Sequence, residues 1–125
     1  MKVQIKPRWR DMDALGHVNN ATFLTYIEEA RLQWLDSLAG DWMNDAIAPV
    51  VASCHIQYKY PITDCEPIDV TALVERVGGS SITMSHVIRN EDQDILYAVA
   101  EVMLVWVNRK TGKPIRVPKV LREES

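Results

Sequence analysis

Cysteine is scarce in this chain, with only Cys54 and Cys65 among 125 residues. The N-terminus, Met1 to Pro7, has no apolar stretch of the export-signal kind, so a cytoplasmic location and two free thiols are expected, with no disulfide. The Asn20-Ala21-Thr22 sequon then counts as chance. Cys-x-x-Cys, His-Glu-x-x-His and a glycine-rich phosphate loop are all missing, which removes the common metal and cofactor signatures. No apolar run reaches the roughly 20 residues a membrane-spanning helix needs. The net charge is −3 at pH 7, which argues against nucleic-acid binding driven by electrostatics. Neither a membrane nor a nucleic acid is an expected partner.

What remains is the composition of an ordinary globular protein, 47% hydrophobic and 25% charged. The length fits one domain over residues 1–125, with room for one core. Val3 to Trp9 alternates like a short strand. From Ala21 to Leu38 the apolar residues Phe23, Leu24, Ile27, Ala30, Trp34, Leu35 and Leu38 recur every three or four positions, which predicts one long amphipathic helix. Asn19 or Asn20 can cap its start and Gly40 marks its end. Trp42 and Met43 predict a turn that packs down.

After Pro49 the period changes to two. Strands are predicted over Val50–Tyr60, Ile68–Val77, Ile82–Ile88 and Ile95–Val107, with a short terminal one at Ile115–Val117. Gly78-Gly79 suits a hairpin turn between the second and third of these. Ile95–Val107 is apolar on both faces, which places it in the middle of a sheet or at an interface between chains. Cys54 reads as a small core residue, and Glu28, Glu29 and Arg31 as the polar edge of the helix. His55 and His86 read as packed or surface histidines. One helix covers one face of such a sheet, so dimerisation is expected to protect the edges.

The ten residues Asp11-Met12-Asp13-Ala14-Leu15-Gly16-His17-Val18-Asn19-Asn20 carry the chemistry. They set acidic groups, a glycine, a histidine and a helix cap in one loop that opens onto a helix N-terminus. The unpaired N–H groups there carry partial positive charge and can hold a developing oxyanion. A carboxylate a few residues upstream can attack the same carbonyl, or activate water against it. The pattern points to acyl-group hydrolysis. Asp11, Asp13 and His17 are too close along one loop to define a metal geometry, and Asp11 is expected to pair with Arg8, Arg10 or solvent.

The run Arg8-Trp9-Arg10-Asp11-Met12-Asp13-Ala14-Leu15-Gly16-His17-Val18-Asn19-Asn20, followed by Tyr26-Ile27-Glu28-Glu29-Ala30-Arg31, resembles the hotdog-fold acyl-CoA thioesterases. The 4-hydroxybenzoyl-CoA thioesterase branch is the most similar one. Ile56-Gln57-Tyr58-Lys59-Tyr60-Pro61 and Thr111-Gly112-Lys113-Pro114 extend the likeness over about residues 3 to 119. The resemblance implies an α+β hotdog fold, an antiparallel sheet of about five strands wrapped around one long central helix. It also implies a homodimer or homotetramer with the site at the subunit interface, an acyl-CoA substrate, and no metal or other cofactor.

On this resemblance Asp13 aligns with the catalytic carboxylate, as nucleophile or general base. The backbone N–H of Asn20 aligns with the donor to the thioester carbonyl. Gly16 supplies a backbone conformation or a close approach, and His17 either orients Asp13, bonds near the carbonyl or ties down the loop. Tyr58 is a candidate pocket lining, Lys59 a candidate phosphate contact, and Ser80 and Ser81 candidates for the pantetheine arm or a phosphate. An acyl-carrier-protein thioester remains open as the substrate. A non-catalytic module binding acyl-CoA or acyl-carrier-protein thioesters is the alternative function, with a hotdog dehydratase or hydratase behind it.

Overall fold

The structure, a computed structural model, describes residues 1–124. Strand β1 (Lys2–Ile5) leads through a 3-10 turn at Trp9–Asp11 and a loop into helix α1 (Asn20–Asp36). Strands β2 (Ile47–Tyr58), β3 (Ile68–Thr71), β4 (Leu73–Val77), β5 (Ser81–Asn90) and β6 (Leu96–Asn108) follow, then a short helix α2 (Lys119–Glu124). All pairings are antiparallel, in the order β1-β3-β5-β6-β2, with β4 also on β5. This is the α+β hotdog arrangement that the resemblance implies.

Most of the apolar stripe of α1 faces the sheet as its spacing predicts; Leu24 is the exception, 41% exposed at the edge of the stripe, and Leu38 lies past the helix end and is partly buried. Phe23, Ile27, Ala30, Trp34 and Leu35 are buried, joined by Tyr26. They meet the inner sheet face, where Val70, Ile82, Met84, Ile88, Ala98, Val102, Leu104 and Trp106 are at most 2% exposed. Each large aliphatic side chain buried this completely contributes about 1.5–3 kcal/mol. Asn19 caps the helix, its side-chain oxygen accepting from the Ala21 N–H at 2.8 Å. The helix stops at Asp36, before Leu38, where the Ser37 N–H turns back to the Gln33 and Trp34 carbonyls. Trp42 packs against the core as expected, and its carbonyl accepts from the Trp106 indole N–H at 2.7 Å, but Met43 is 50% exposed.

The sheet has six strands where about five were expected. The predicted strand Ile68–Val77 runs along β5 but breaks at Ala72. There the Ala72 N–H donates to Met1 O at 2.8 Å, and its carbonyl accepts from the N-terminal ammonium at 2.9 Å. The register then slips between Val74 and Arg76. β1 ends at Ile5, before Pro7, which has no N–H to give to a ladder. Ile115–Val117 forms no strand; this segment is held by an isolated bridge from Val107 to Pro114. β2 starts at Ile47, and α2 was not foreseen.

Cys54 and Arg31 also depart from their expected burial. Cys54 is exposed, because β2 is an edge strand and α1 packs most closely on β1 and β3. Arg31 is only 7% exposed, its guanidinium 3.9 Å from the Glu28 carboxylate. β6 is buried along most of its inner face; on the outer face Tyr97 is buried, while Val99, Met103, Val105 and Val107 are half-buried. His55 is exposed and His86 is packed.

Candidate active site

The loop between the 3-10 turn and α1 is a closed hairpin. At its base the Asn19 N–H donates to Asp11 O at 2.9 Å, and Met12 bridges Val18. Nearer the tip the Asp13 N–H donates to His17 O at 2.7 Å and the Gly16 N–H to Asp13 O at 3.1 Å. The Asp13 carboxylate takes part through one oxygen. Oδ1 accepts from the Leu15 N–H at 2.8 Å and the His17 N–H at 3.4 Å. No hydrogen bond among the described residues engages Oδ2, so one oxygen of the Asp13 carboxylate is left without a partner there.

Gly16 turns the tip at φ +81°, and a Cβ added there meets nothing within 4 Å. Of the two roles considered for it, the structure shows the backbone conformation. Gly16→Ala is therefore expected to cost about 1–2 kcal/mol of left-handed strain with no clash. A thermal melt should show a drop of a few degrees; an unchanged midpoint would mean the turn is not held in that conformation.

The start of α1 leaves one donor open. The Ala21 N–H goes to the Asn19 side chain and the Thr22 N–H to Asn19 O at 2.9 Å. The Asn20 N–H has no partner among the described residues. Asn19 rather than Asn20 is the cap, so the Asn20 amide is the orphan donor of the first turn. The Tyr58 hydroxyl donates to Asn20 O at 2.9 Å and its ring meets Phe23 edge-on at 5.1 Å, fastening the end of β2 to the helix. Burial pushes the Tyr58 hydroxyl pKa up, so it stays a donor.

Asp13 opens onto a concavity it shares with Trp9, Met12, Gly16, Thr63 and Cys65. His17, Asn20, Phe23, Tyr58, Lys59 and Tyr60 line a second one. The hairpin joins the two, since the His17 backbone bonds Asp13 while its residue lines the Asn20 side. Ser80 and Ser81 are not brought here. Ser81 sits opposite Val105 of β6, whereas Tyr58 sits opposite Ala98, a separation of roughly 24 Å along the strand. The Ser80 carbonyl is used to accept from the Trp106 N–H at 2.9 Å.

The sequence reading missed two parts of this site. Cys65 stands beside Asp13 in the cleft, with no local signal to announce it. Asp11 is 7% exposed; its Oδ2 accepts from the Tyr26 hydroxyl at 2.7 Å and from the Arg8 N–H at 3.0 Å. The Arg8 pairing was expected, the Tyr26 one was not. Among the described residues no three His, Cys, Asp or Glu side chains converge to hold a metal ion.

Residues 7–124 match the Thioesterase-like superfamily, and the chain belongs to that family. It is 34% identical over 126 residues to the long-chain acyl-CoA thioesterase FadM of Escherichia coli K12, covering 99% of this chain and 96% of that protein. A thioesterase from Thermus thermophilus, solved in complex with coenzyme A and zinc, superposes with a TM-score of 0.83 at 33% identity, covering 98% of this chain and 88% of that one. A Pseudomonas aeruginosa PAO1 protein superposes with a TM-score of 0.89 at 27% identity, over 98% and 87% of the two chains.

Proposed function

We propose that the protein is an acyl-CoA thioesterase, hydrolysing acyl-CoA to a free acid and coenzyme A, with Asp13 and the first amide of α1 as its working parts. One observation carries this reading: a carboxylate with a spare oxygen and a helix N-terminus with a spare N–H flank a single closed loop. The family membership and the likeness to a long-chain acyl-CoA thioesterase support the substrate class.

In the proposed reaction the thioester carbonyl oxygen accepts from the Asn20 N–H, which stabilises the negative charge that builds as the carbon becomes tetrahedral. A donor aimed in this way is worth roughly 2.7–4 kcal/mol. Asp13 Oδ2 either attacks the carbon, giving an acyl-aspartyl anhydride that water then cleaves, or removes a proton from an attacking water. In both routes the C–S bond breaks, and the thiolate leaves and takes up a proton. His17 holds the loop through its backbone, and Lys59, exposed at the rim, meets a coenzyme A phosphate. Ser80 and Ser81 stand apart from this cleft within one chain, so any contact with the pantetheine arm comes from a second copy.

A second copy is part of the proposal. β2 is a 12-residue edge strand with Val50 and Val51 46% and 52% exposed, and such an edge is a template for pairing with another chain. The test is thiol release from a panel of short, long, branched and aromatic acyl-CoAs. Stoichiometric coenzyme A release from at least one class is expected. Tight binding with no release from any would favour the binding-module alternative.

A further inference from the structure

We infer that Asp11 and Tyr26 are positioning residues, whose buried hydrogen bond sets where the Asp13 carboxylate stands relative to the first amide of α1. The inference rests on the proposed role of Asp13. Asp11 grips the helix at two points. Its carbonyl accepts from the N–H of the cap residue, Asn19, at 2.9 Å, and its Oδ2 accepts from the Tyr26 hydroxyl about two turns further on at 2.7 Å. The reacting hairpin begins and ends at this grip, two residues before Asp13 and one before Asn20.

Neither Asp11 nor Tyr26 lines the cleft of Asp13; both face a separate groove between β1 and α1. Burying a carboxylate is a costly way to fill space, and a residue held this way orients rather than merely packs. Burial pushes the Asp11 carboxyl up, but the Arg8 N–H, the Tyr26 hydroxyl and the Arg8 guanidinium together bring it below its ordinary value. Burial and the Asp11 bond push the Tyr26 hydroxyl up, so the proton stays on tyrosine. The bond therefore keeps one polarity across the working pH range. A displaced catalytic group loses rate without losing substrate affinity, because binding does not depend on the attack geometry.

Tyr26→Phe removes the hydroxyl and should lower kcat about tenfold with KM within about twofold. Asp11→Asn, which still offers an oxygen to Tyr26, should stay within about threefold of wild type, whereas Asp11→Glu, which keeps the charge but shifts the grip by a methylene, should lose about as much as Tyr26→Phe. In an Asp13→Asn background Tyr26→Phe should change the residual rate no further, since there is no longer a carboxylate to position. Wild-type kcat in Tyr26→Phe, or an undiminished loss on top of Asp13→Asn, would overturn the inference. If Tyr26→Phe fails to fold, the contrast between Asp11→Asn and Asp11→Glu decides, with equal rates for the two counting against it. If Asp13→Asn is itself as active as wild type, the role of Asp13 fails and this inference fails with it; an inactive Asp13→Asn beside a fully active Tyr26→Phe sinks only the positioning role.

Discussion

Asp13→Asn should lower turnover of acyl-CoA by about 10²–10⁴-fold, while the fold survives almost untouched. The two effects separate because the loop uses only Oδ1, which accepts from Leu15 and His17 N–H groups. The amide oxygen of asparagine accepts the same two bonds. What disappears is the negative charge and the basicity of the other oxygen, and only the chemistry needs those. The measurement pairs steady-state thiol release with a thermal melt. A midpoint within a few degrees of wild type alongside a collapse in kcat is the expected pair. Asp13→Ala would lose the loop bonds as well, so its melt should fall further than that of Asp13→Asn.

The second large effect is on stability and comes from His86. It is 1% exposed on β5, facing α1. Its Nδ1 lies 3.0 Å from the Thr71 carbonyl, which can only accept, so the ring proton sits on Nδ1. Nε2 is buried without a partner among the described residues. Burial pushes the imidazole down to about 4 from its ordinary 6.5, against the Thr71 bond and with help from the Arg31 charge. Between those two values the unfolded chain binds a proton that the folded one refuses. Stability therefore rises with pH across this window, and acidification from pH 6.5 to about 4 should remove about 3 kcal/mol. Denaturant unfolding at a series of pH values reads the slope directly. His86→Leu should flatten it, and a wild type with no loss between pH 6.5 and 4 would mean that the ring charges freely in place.

Much of this protein is legible in its sequence, and the legible parts share a cause. α1 announces itself because a three-to-four repeat, an asparagine cap and a sheet-facing stripe all act within a few residues of one another. The hairpin from Asp11 to Asn20 is readable for the same reason, as glycine, aspartate and the cap are local devices. Tertiary placement is harder. Nothing near Ala72 says that the ladder to β5 will be interrupted there, where the Thr71 hydroxyl accepts from the Val87 N–H and the His86 ring takes the Thr71 carbonyl. Alternation gives Cys54 an inward side chain, but only the position of α1 reveals that this part of β2 is left uncovered. Arg31 lies on a helix that reads as charged along one edge, yet it is buried at 7% exposure. The pairing of Asp11 with Tyr26 joins residues 15 apart, beyond the reach of loop chemistry or helix period. The candidate site is thus readable in the groups proposed to react and unreadable in what holds them still.

The division also explains why Ser80 and Ser81 suit a substrate contact in sequence but stand apart from Asp13 in one chain. Their turn is braced by the Gly78 N–H on Ser81 O at 2.7 Å and by the Val117 N–H on Gly79 O at 2.9 Å. The β4–β5 turn is fixed by the C-terminal segment, at the opposite end of the sheet from the loop.

The most direct measurement is a crystal structure with an acyl-CoA analogue in which a methylene replaces the thioester sulfur. The expected result is a carbonyl oxygen at roughly 2.7–3.1 Å from the Asn20 nitrogen, with Asp13 Oδ2, or a water it holds, facing the carbonyl carbon at roughly 3–3.5 Å. A carbonyl bound away from the α1 N-terminus, with Asp13 turned from it, would contradict the proposed chemistry.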